Sequence, residues 1–197
     1  MITLALDLGS TTGWAIGGHA GERLSSGSIE LLPAKAVREQ TKTGMDRRCD
    51  GRILSLARWL DTTLVENRVE RVVFEDVLFV HSAKQAQLWS SFRATVWVTC
   101  AVDRSPAPQL HCLPVATIKK FFTGYGGAEK VHMAQALLDG RKGFAGEFRI
   151  GPNKRGDTDL LETSSGRSVD DNEVDALAIL AYAQHVDAGK IRWPYEQ

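Results

Sequence analysis

Residues 6–15 read LDLGSTTGWA and place a carboxylate, Asp7, in an otherwise apolar first strand that begins Ile2-Thr3-Leu4-Ala5-Leu6. Gly9, Ser10, Thr11, Thr12 and Gly13 follow as turn formers, the pattern of a strand feeding a hairpin. A carboxylate buried in a strand is costly unless a cation or hydrogen-bond donors satisfy it. Asp7 therefore requires a partner from elsewhere in the chain.

Beyond that turn, residues 14–16 and 27–31 read as two further strands, so the chain opens with three antiparallel strands. Over residues 50–66, Ile53, Leu54, Leu56, Ala57, Leu60 and Leu64 recur at helical spacing and predict an amphipathic helix whose stripe packs into the core. Residues 69–77 predict a fourth strand with Glu75 near its C-terminal end, which repeats the question Asp7 poses. A helix over 83–98, a strand over 109–114 closed by proline, and a helix over 115–122 follow. The segment Thr123-Gly124-Tyr125-Gly126-Gly127 breaks that helix, and helical spacing resumes over 128–138. Residues 139–168 are rich in Gly, Arg, Lys, Asp and Ser with little periodicity, and predict a long mobile loop. A last helix covers 169–186, with Val174, Leu177, Ala178 and Tyr182 on one packed side. This order fits an α/β fold with a mixed five-stranded sheet flanked by helices, in a single domain over residues 1–197.

The bulk numbers narrow the function classes. With 24 Lys and Arg against 24 Asp and Glu the formal net charge is zero, so any surface for a polyanion must come from local segregation of charge. The three cysteines, Cys49, Cys100 and Cys112, are scattered and unpaired in spacing, as expected of a reduced intracellular chain. No stretch has the length of a membrane span and the N-terminus lacks a signal pattern. A cytoplasmic or nucleoid-associated protein with no membrane partner is the expectation.

The last predicted helix opens with Asp170-Asp171-Asn172-Glu173-Val174-Asp175. Asp171 and Asp175 fall one turn apart on one face, whereas Glu173 points elsewhere. If that face packs over the sheet edge where Asp7 and Glu75 emerge, four acids surround one small volume. Such an oxygen set binds Mg²⁺ or Mn²⁺, and two ions roughly 4 Å apart promote phosphodiester cleavage. Taken singly the acids have plainer readings: Asp7 as a turn cap, Glu75 as a strand-end charge in solvent, residues 170–173 as an acidic first turn favoured by the helix dipole. Their conjunction in this order favours the metal.

At these residues the chain resembles the RNase H-like nuclease superfamily and, within it, the RuvC-type Holliday-junction resolvases with their phage relatives. The likeness runs from Leu4 to Ala183 through LALDLGSTTGWAI, FEDV, PVATIKKFFTGYGGAEK and DDNEVDALAIL. It implies an RNase H-like fold and a homodimer that nicks a four-way DNA junction in pairs with two Mg²⁺ per active site, Mn²⁺ substituting. Position by position it implies Asp7, Glu75 and Asp175 as catalytic carboxylates, and Lys119 and Lys130 as lysines beside the junction backbone, with Lys120 adjoining them. The turn at Thr123, Gly124 and Gly126 suits close approach of phosphate. It also implies an apolar wedge after the fourth strand, where Leu78 and Phe79 stand and Phe79 is favoured; the plainer reading of Phe79 is core or dimer interface.

Two departures stand out. Three positions before Asp175, where many bacterial members carry a metal-site residue, this chain has Asn172, a poor ligand, and Asp171 is taken as the fourth acid instead. Leu8 stands where proline is common, so a cut-site preference does not transfer.

Basic residues segregate locally into three groups: Lys35, Arg38, Lys42, Arg47, Arg48, Arg52 and Arg58; Lys119, Lys120 and Lys130; and Arg141, Lys142, Arg149, Lys154 and Arg155. Each phosphate contact would add about one unit to the salt slope of DNA binding, whereas a merely solvated face would not. His81, His111 and His132 are not spaced as a ligand set, and Trp14, Trp59, Trp89 and Trp97 fall on apolar faces as packing residues. Among rival readings, an actin-like ATPase needs two phosphate loops and a longer chain. A broader branched-DNA or RNA-processing nuclease, or a non-catalytic DNA-binding module of the same fold, stays open on sequence alone.

Overall fold

The computed structural model describes residues 1–18, 23–45, 49–77, 82–102, 104–151 and 160–195. Its strands are β1 (Thr3–Asp7), β2 (Thr11–Gly17), β3 (Arg23–Glu30), β4 (Arg71–Asp76) and β5 (Gln109–Pro114), with β6 (Phe148–Gly151) and β7 (Leu160–Thr163) forming a separate pair. The helices are α1 (Ala34–Thr43), α2 (Gly51–Glu66), α3 (Ala83–Ala101), α4 (Val115–Thr123), α5 (Lys130–Leu138) and α6 (Asp171–Asp187). The main sheet has the order β3-β2-β1-β4-β5. Strands β1, β2 and β3 pair antiparallel, whereas β4 joins β1 and β5 joins β4 in parallel. That is the mixed five-stranded sheet flanked by helices that the element order predicts.

Strand alternation sorts the side chains onto two faces. Leu4, Leu6, Ile16, Val72 and Phe74 pack with Leu56, Leu60 and Leu64 of α2 and with Phe92, Val96 and Cys100 of α3. Ala5, Ala15, Val73 and Leu113 pack on the other face with Ile118 and Phe122 of α4, Met133 and Leu137 of α5, and nearly all of α6. Asp7 shares the parity of Ala5, and Glu75 that of Val73, so both acids belong to the α6 face.

Small residues on β2 decide how closely α6 approaches. Gly13 and Ala15 lie opposite Asp7 and Ala5 in the β1–β2 ladder. A Cβ at Gly13 would collide with the Asn172 carbonyl oxygen, so only glycine lets the α6 backbone reach the sheet there. At the other end of α6, Arg71, which is 2 % exposed, donates to both carboxylate oxygens of Asp187 at 2.7 Å and to Thr3 Oγ1 at 3.0 and 2.7 Å. The Trp193 ring lies 5.4 Å from that guanidinium and stacks at 4.0 Å on His111.

Several expectations need correction. Where a long loop is expected over 139–168, the described residues carry regular structure: a 3-10 turn at Arg141–Gly143 and the antiparallel pair β6 and β7, with Phe148 and Leu161 buried in the α6-side core, while 152–159 lie outside the described residues. Four-residue strands are too short to show a period against their Gly- and Arg-rich flanks. Helix α1 is not predicted because it buries none of its residues and so leaves no core stripe. Helix α6 is packed all round from Glu173 to Gln184 rather than on one side, because its alanines let it sit between the sheet and α4 and α5. Leu54 and Trp97 are exposed, not core, Trp97 at 45 %. Among the described residues no helix is long and apolar enough to cross a membrane.

Candidate active site

The parallel pairing of β1 with β4, in register at Leu6 and Phe74, sets the next residues, Asp7 and Glu75, beside each other at the C-terminal ends of the two central strands. Gly13 lies across the ladder from Asp7 and receives the first turn of α6, which brings Asp175 to the same place. Asp7, Glu75 and Asp175 are each half-buried.

Their electrostatics show one shared centre. Burial first, then the charges of Glu75 and Asp175, hold the Asp7 carboxyl well above its usual range, with Lys130 opposing the shift and Asp170 adding to it. Glu75 is pushed up from 4.5 to about 7 by burial and then by Asp175, with Lys119 opposing. Asp175 is pushed up from 3.8 to about 6 by burial; Lys119 and Lys130 oppose this and Asp171 adds to it. Three carboxyls in one poorly solvated volume cannot all ionise without cost.

Asp171, the fourth predicted acid, stands at the rim. It is exposed, and Lys130 Nζ donates to its Oδ2 at 2.8 Å. That hydrogen bond is the main cause of the raised Lys130 pKa. The structure thus brings Asp7, Glu75 and Asp175 together and sets Asp171 beside them with a lysine partner. Asn172 instead presses its backbone carbonyl against Gly13.

Lys119 is half-buried and faces the acids, whereas Lys120, its neighbour, is exposed. The turn beyond them is firmly built. Gly124 takes the left-handed conformation at φ +93° to end α4, Thr123 Oγ1 donates to the Lys119 carbonyl at 2.8 Å, and Arg141 Nη1 donates to the Thr123 carbonyl at 2.8 Å. In the first basic group, Arg52 is committed internally: it pairs with Asp50 at 2.6 Å and donates to Ser10 Oγ at 2.9 Å. Leu78, Phe79, His81, Arg47, Arg48, Lys154 and Arg155 lie outside the described residues.

Two features escape sequence reasoning. Glu173 is buried and held by Arg167 and Ser26. On the far face of β4, Asp76 accepts from Arg93 Nη1 at 2.8 Å, and Arg93 lies between the rings of Trp89 and Trp97 at 5.5 and 4.7 Å. The spacing of Trp89, Arg93 and Trp97 at four-residue intervals is the signal for that stack.

Among the described residues no three His, Cys, Asp or Glu side chains already stand as a metal-coordinating set. The donor chemistry nevertheless fits a hard divalent cation: oxygen ligands only, mutually repelling, half-buried, and open to relief by positive charge.

No protein-family profile and no curated protein matches this sequence. Solved structures do match in fold. The Thermus thermophilus RuvC in complex with a Holliday junction substrate superposes with a TM-score of 0.62 at 18% identity, over 98% of this chain and 98% of that one. A Thermus thermophilus RuvC structure gives 0.62 at 17% identity over 98% and 99%. The yeast mitochondrial Holliday junction resolvase Ydc2 gives 0.57 at 13% identity, over 94% of this chain and 78% of the other. The chain therefore has the RuvC-type, RNase H-like fold.

Proposed function

We propose that this chain is a divalent-metal-dependent endonuclease that cuts branched DNA, four-way junctions foremost, acting as a homodimer that makes paired nicks. The observation that carries the reading is the coupled trio Asp7, Glu75 and Asp175, flanked by Lys119 and Lys130, within a fold shared with junction resolvases.

Asp7, Glu75 and Asp175 would hold Mg²⁺ or Mn²⁺, and Asp171 would complete the set once released from Lys130. Such ions, when bound, supply an acidified water and stabilisation of the leaving oxygen. The protein's own part is to orient the strand. Lys119 and Lys130, placed beside the acids, attract the scissile phosphate and neutralise its charge, and the Thr123–Gly124 turn leaves room for the neighbouring backbone. Water attacks phosphorus in line, the 3′-oxygen departs, and a 5′-phosphate and 3′-hydroxyl result.

Cleavage of an immobile four-way junction by the wild type and by Asp7→Asn, with Mg²⁺ or with EDTA, tests this beside duplex, flap and RNA/DNA hybrid controls. Symmetric nicks confined to the junction and lost with EDTA and in the variant are expected. Cleavage of all substrates would make it a broader nuclease, and metal-dependent binding without nicking would make it a binding module. Light scattering of the free protein should give the mass of a dimer; a monomer would refute the paired-nick reading.

A further inference from the structure

Glu173 sits two residues from Asp175 on α6, so at about 100° per residue the two side chains leave opposite sides of the helix. Glu173 is 1 % exposed, and three donors converge on it. Ser26 Oγ donates to Oε1 at 2.6 Å, Arg167 Nη2 to Oε1 at 2.5 Å, and Arg167 Nη1 to Oε2 at 2.7 Å. Arg167 Nη2 also donates to the Ser26 carbonyl at 3.3 Å, and Asp170 Oδ1 caps the Glu173 amide at 2.9 Å. This network ties together β3, the link from β7 to α6, and the first turn of α6.

We propose that Arg167, Glu173 and Ser26 are positioning residues, a clamp that sets the rotation of α6 about its axis and thereby the place of Asp175 in the acid centre. Glu173 is buried, whereas the Arg167 side chain is 47 % exposed; a pair half open to water contributes little stability, and the better-attested use of such an ionic contact is to select one geometry. This helix needs such a device. Sheet and helix meet through small residues: Ala176 and Ala183, which fall on one side of α6, share a core with Ala5 and Ala15, and the helix backbone at Asn172 closes on Gly13, so this seam offers shallow ridges that resist rotation weakly. With a carboxylate about 5–6 Å from the helix axis, a turn of about 10° moves it about 1 Å, and a misplacement of about 1 Å can cost about a hundredfold in rate. The Asn172 carbonyl on Gly13 sets the height of the helix, and the clamp on the opposite side from Asp175 sets its angle.

The inference rests on the nuclease reading only for its kinetic readout, so the test carries a second one. The double variant Arg167→Met with Glu173→Met removes both charges while keeping the volume. It should keep a cooperative thermal transition and bind a four-way junction in EDTA within about twofold of wild type. Its Mn²⁺ affinity by titration calorimetry should fall about tenfold, and its single-turnover nicking about tenfold or more. Glu173→Gln, which still accepts from Ser26 and Arg167, should recover most of both, an outcome that loss of packing alone would not produce. Unchanged Mn²⁺ affinity and nicking in a folded double variant would overturn the clamp. Should that variant not fold, Ser26→Ala and Arg167→Lys, which leave the carboxylate paired, decide by the same two readouts, and wild-type values would again overturn it. A wild type that binds Mn²⁺ but nicks nothing would refute the nuclease reading while the calorimetry still judges the clamp. A wild type that binds no Mn²⁺ would leave no centre to position and would overturn the clamp.

Discussion

Replacing Glu75 with glutamine should stabilise the metal-free protein while abolishing its activity. The Glu75 carboxyl titrates at about 7 in the fold against an ordinary 4.5, because burial and Asp175 disfavour its charge. Below pH 4.5 it is protonated both folded and unfolded, and contributes nothing. Between 4.5 and about 7 the unfolded chain releases its proton first, so stability falls as pH rises, and above 7 the full penalty is present. That difference corresponds to about 3 kcal/mol. Partial solvation and the opposing Lys119 reduce the expected gain at pH 8 to about 1–3 kcal/mol, or a Tm rise of about 3–10 °C for a chain of this size. The assay is differential scanning calorimetry in EDTA at pH 8 and pH 4 for wild type and Glu75→Gln. A gain at pH 8 that vanishes at pH 4, with junction nicking lost, is expected. No gain at pH 8, or an equal gain at pH 4, would refute the claim that Asp7, Glu75 and Asp175 share one crowded, poorly solvated centre.

The same geometry makes three further predictions. Lys130→Met removes a charge that lowers the pKa of both Asp7 and Asp175, so the acid limb of the pH–rate profile for nicking should move to higher pH; an unmoved limb would show that Lys130 does not face the reacting centre. Gly13→Ala sets a Cβ against the Asn172 carbonyl and should cost about 1–3 kcal/mol in urea unfolding, with loss of nicking as α6 is displaced, whereas a wild-type midpoint would mean the close approach is not maintained in solution. Arg71→Ala removes a buried guanidinium from between Thr3 and the half-buried carboxylate of Asp187 at the C-terminal end of α6 and should destabilise by about 2 kcal/mol, read from the same unfolding curves; a loss below about 1 kcal/mol would show that the pair is solvated.

Much of the fold is legible in the chain because it follows from short-range patterns. Short apolar runs mark β1 and β4, with Asp7 and Glu75 interrupting them near their C-terminal ends. Helical periodicity marks α2 and α6, and Pro114 and Gly124 punctuate β5 and α4 where the backbone requires it. The i, i+4 spacing of Asp171 and Asp175 is likewise correct as geometry. It does not reveal that one of the pair faces the acids while the other meets Lys130 in solvent, because spacing gives an angle about a helix but not the neighbour found at that angle.

The sequence by itself determined the order of β1 to β5 and of α2 to α6, the two carboxylates at the ends of what prove to be adjacent parallel strands, and the third on a late helix, since each is written within a short stretch of chain. Tertiary structure decided the rest. The pairing of β1 with β4 set Asp7 beside Glu75. The close approach at Gly13 brought Asp175 over them. Glu173, which reads as part of an acidic first helical turn, became the buried end of a clamp whose partner Ser26 lies 147 positions away. Likewise, Arg71 found Asp187 at a separation of 116. Contacts at such separations depend on how whole elements pack, and no local propensity encodes them.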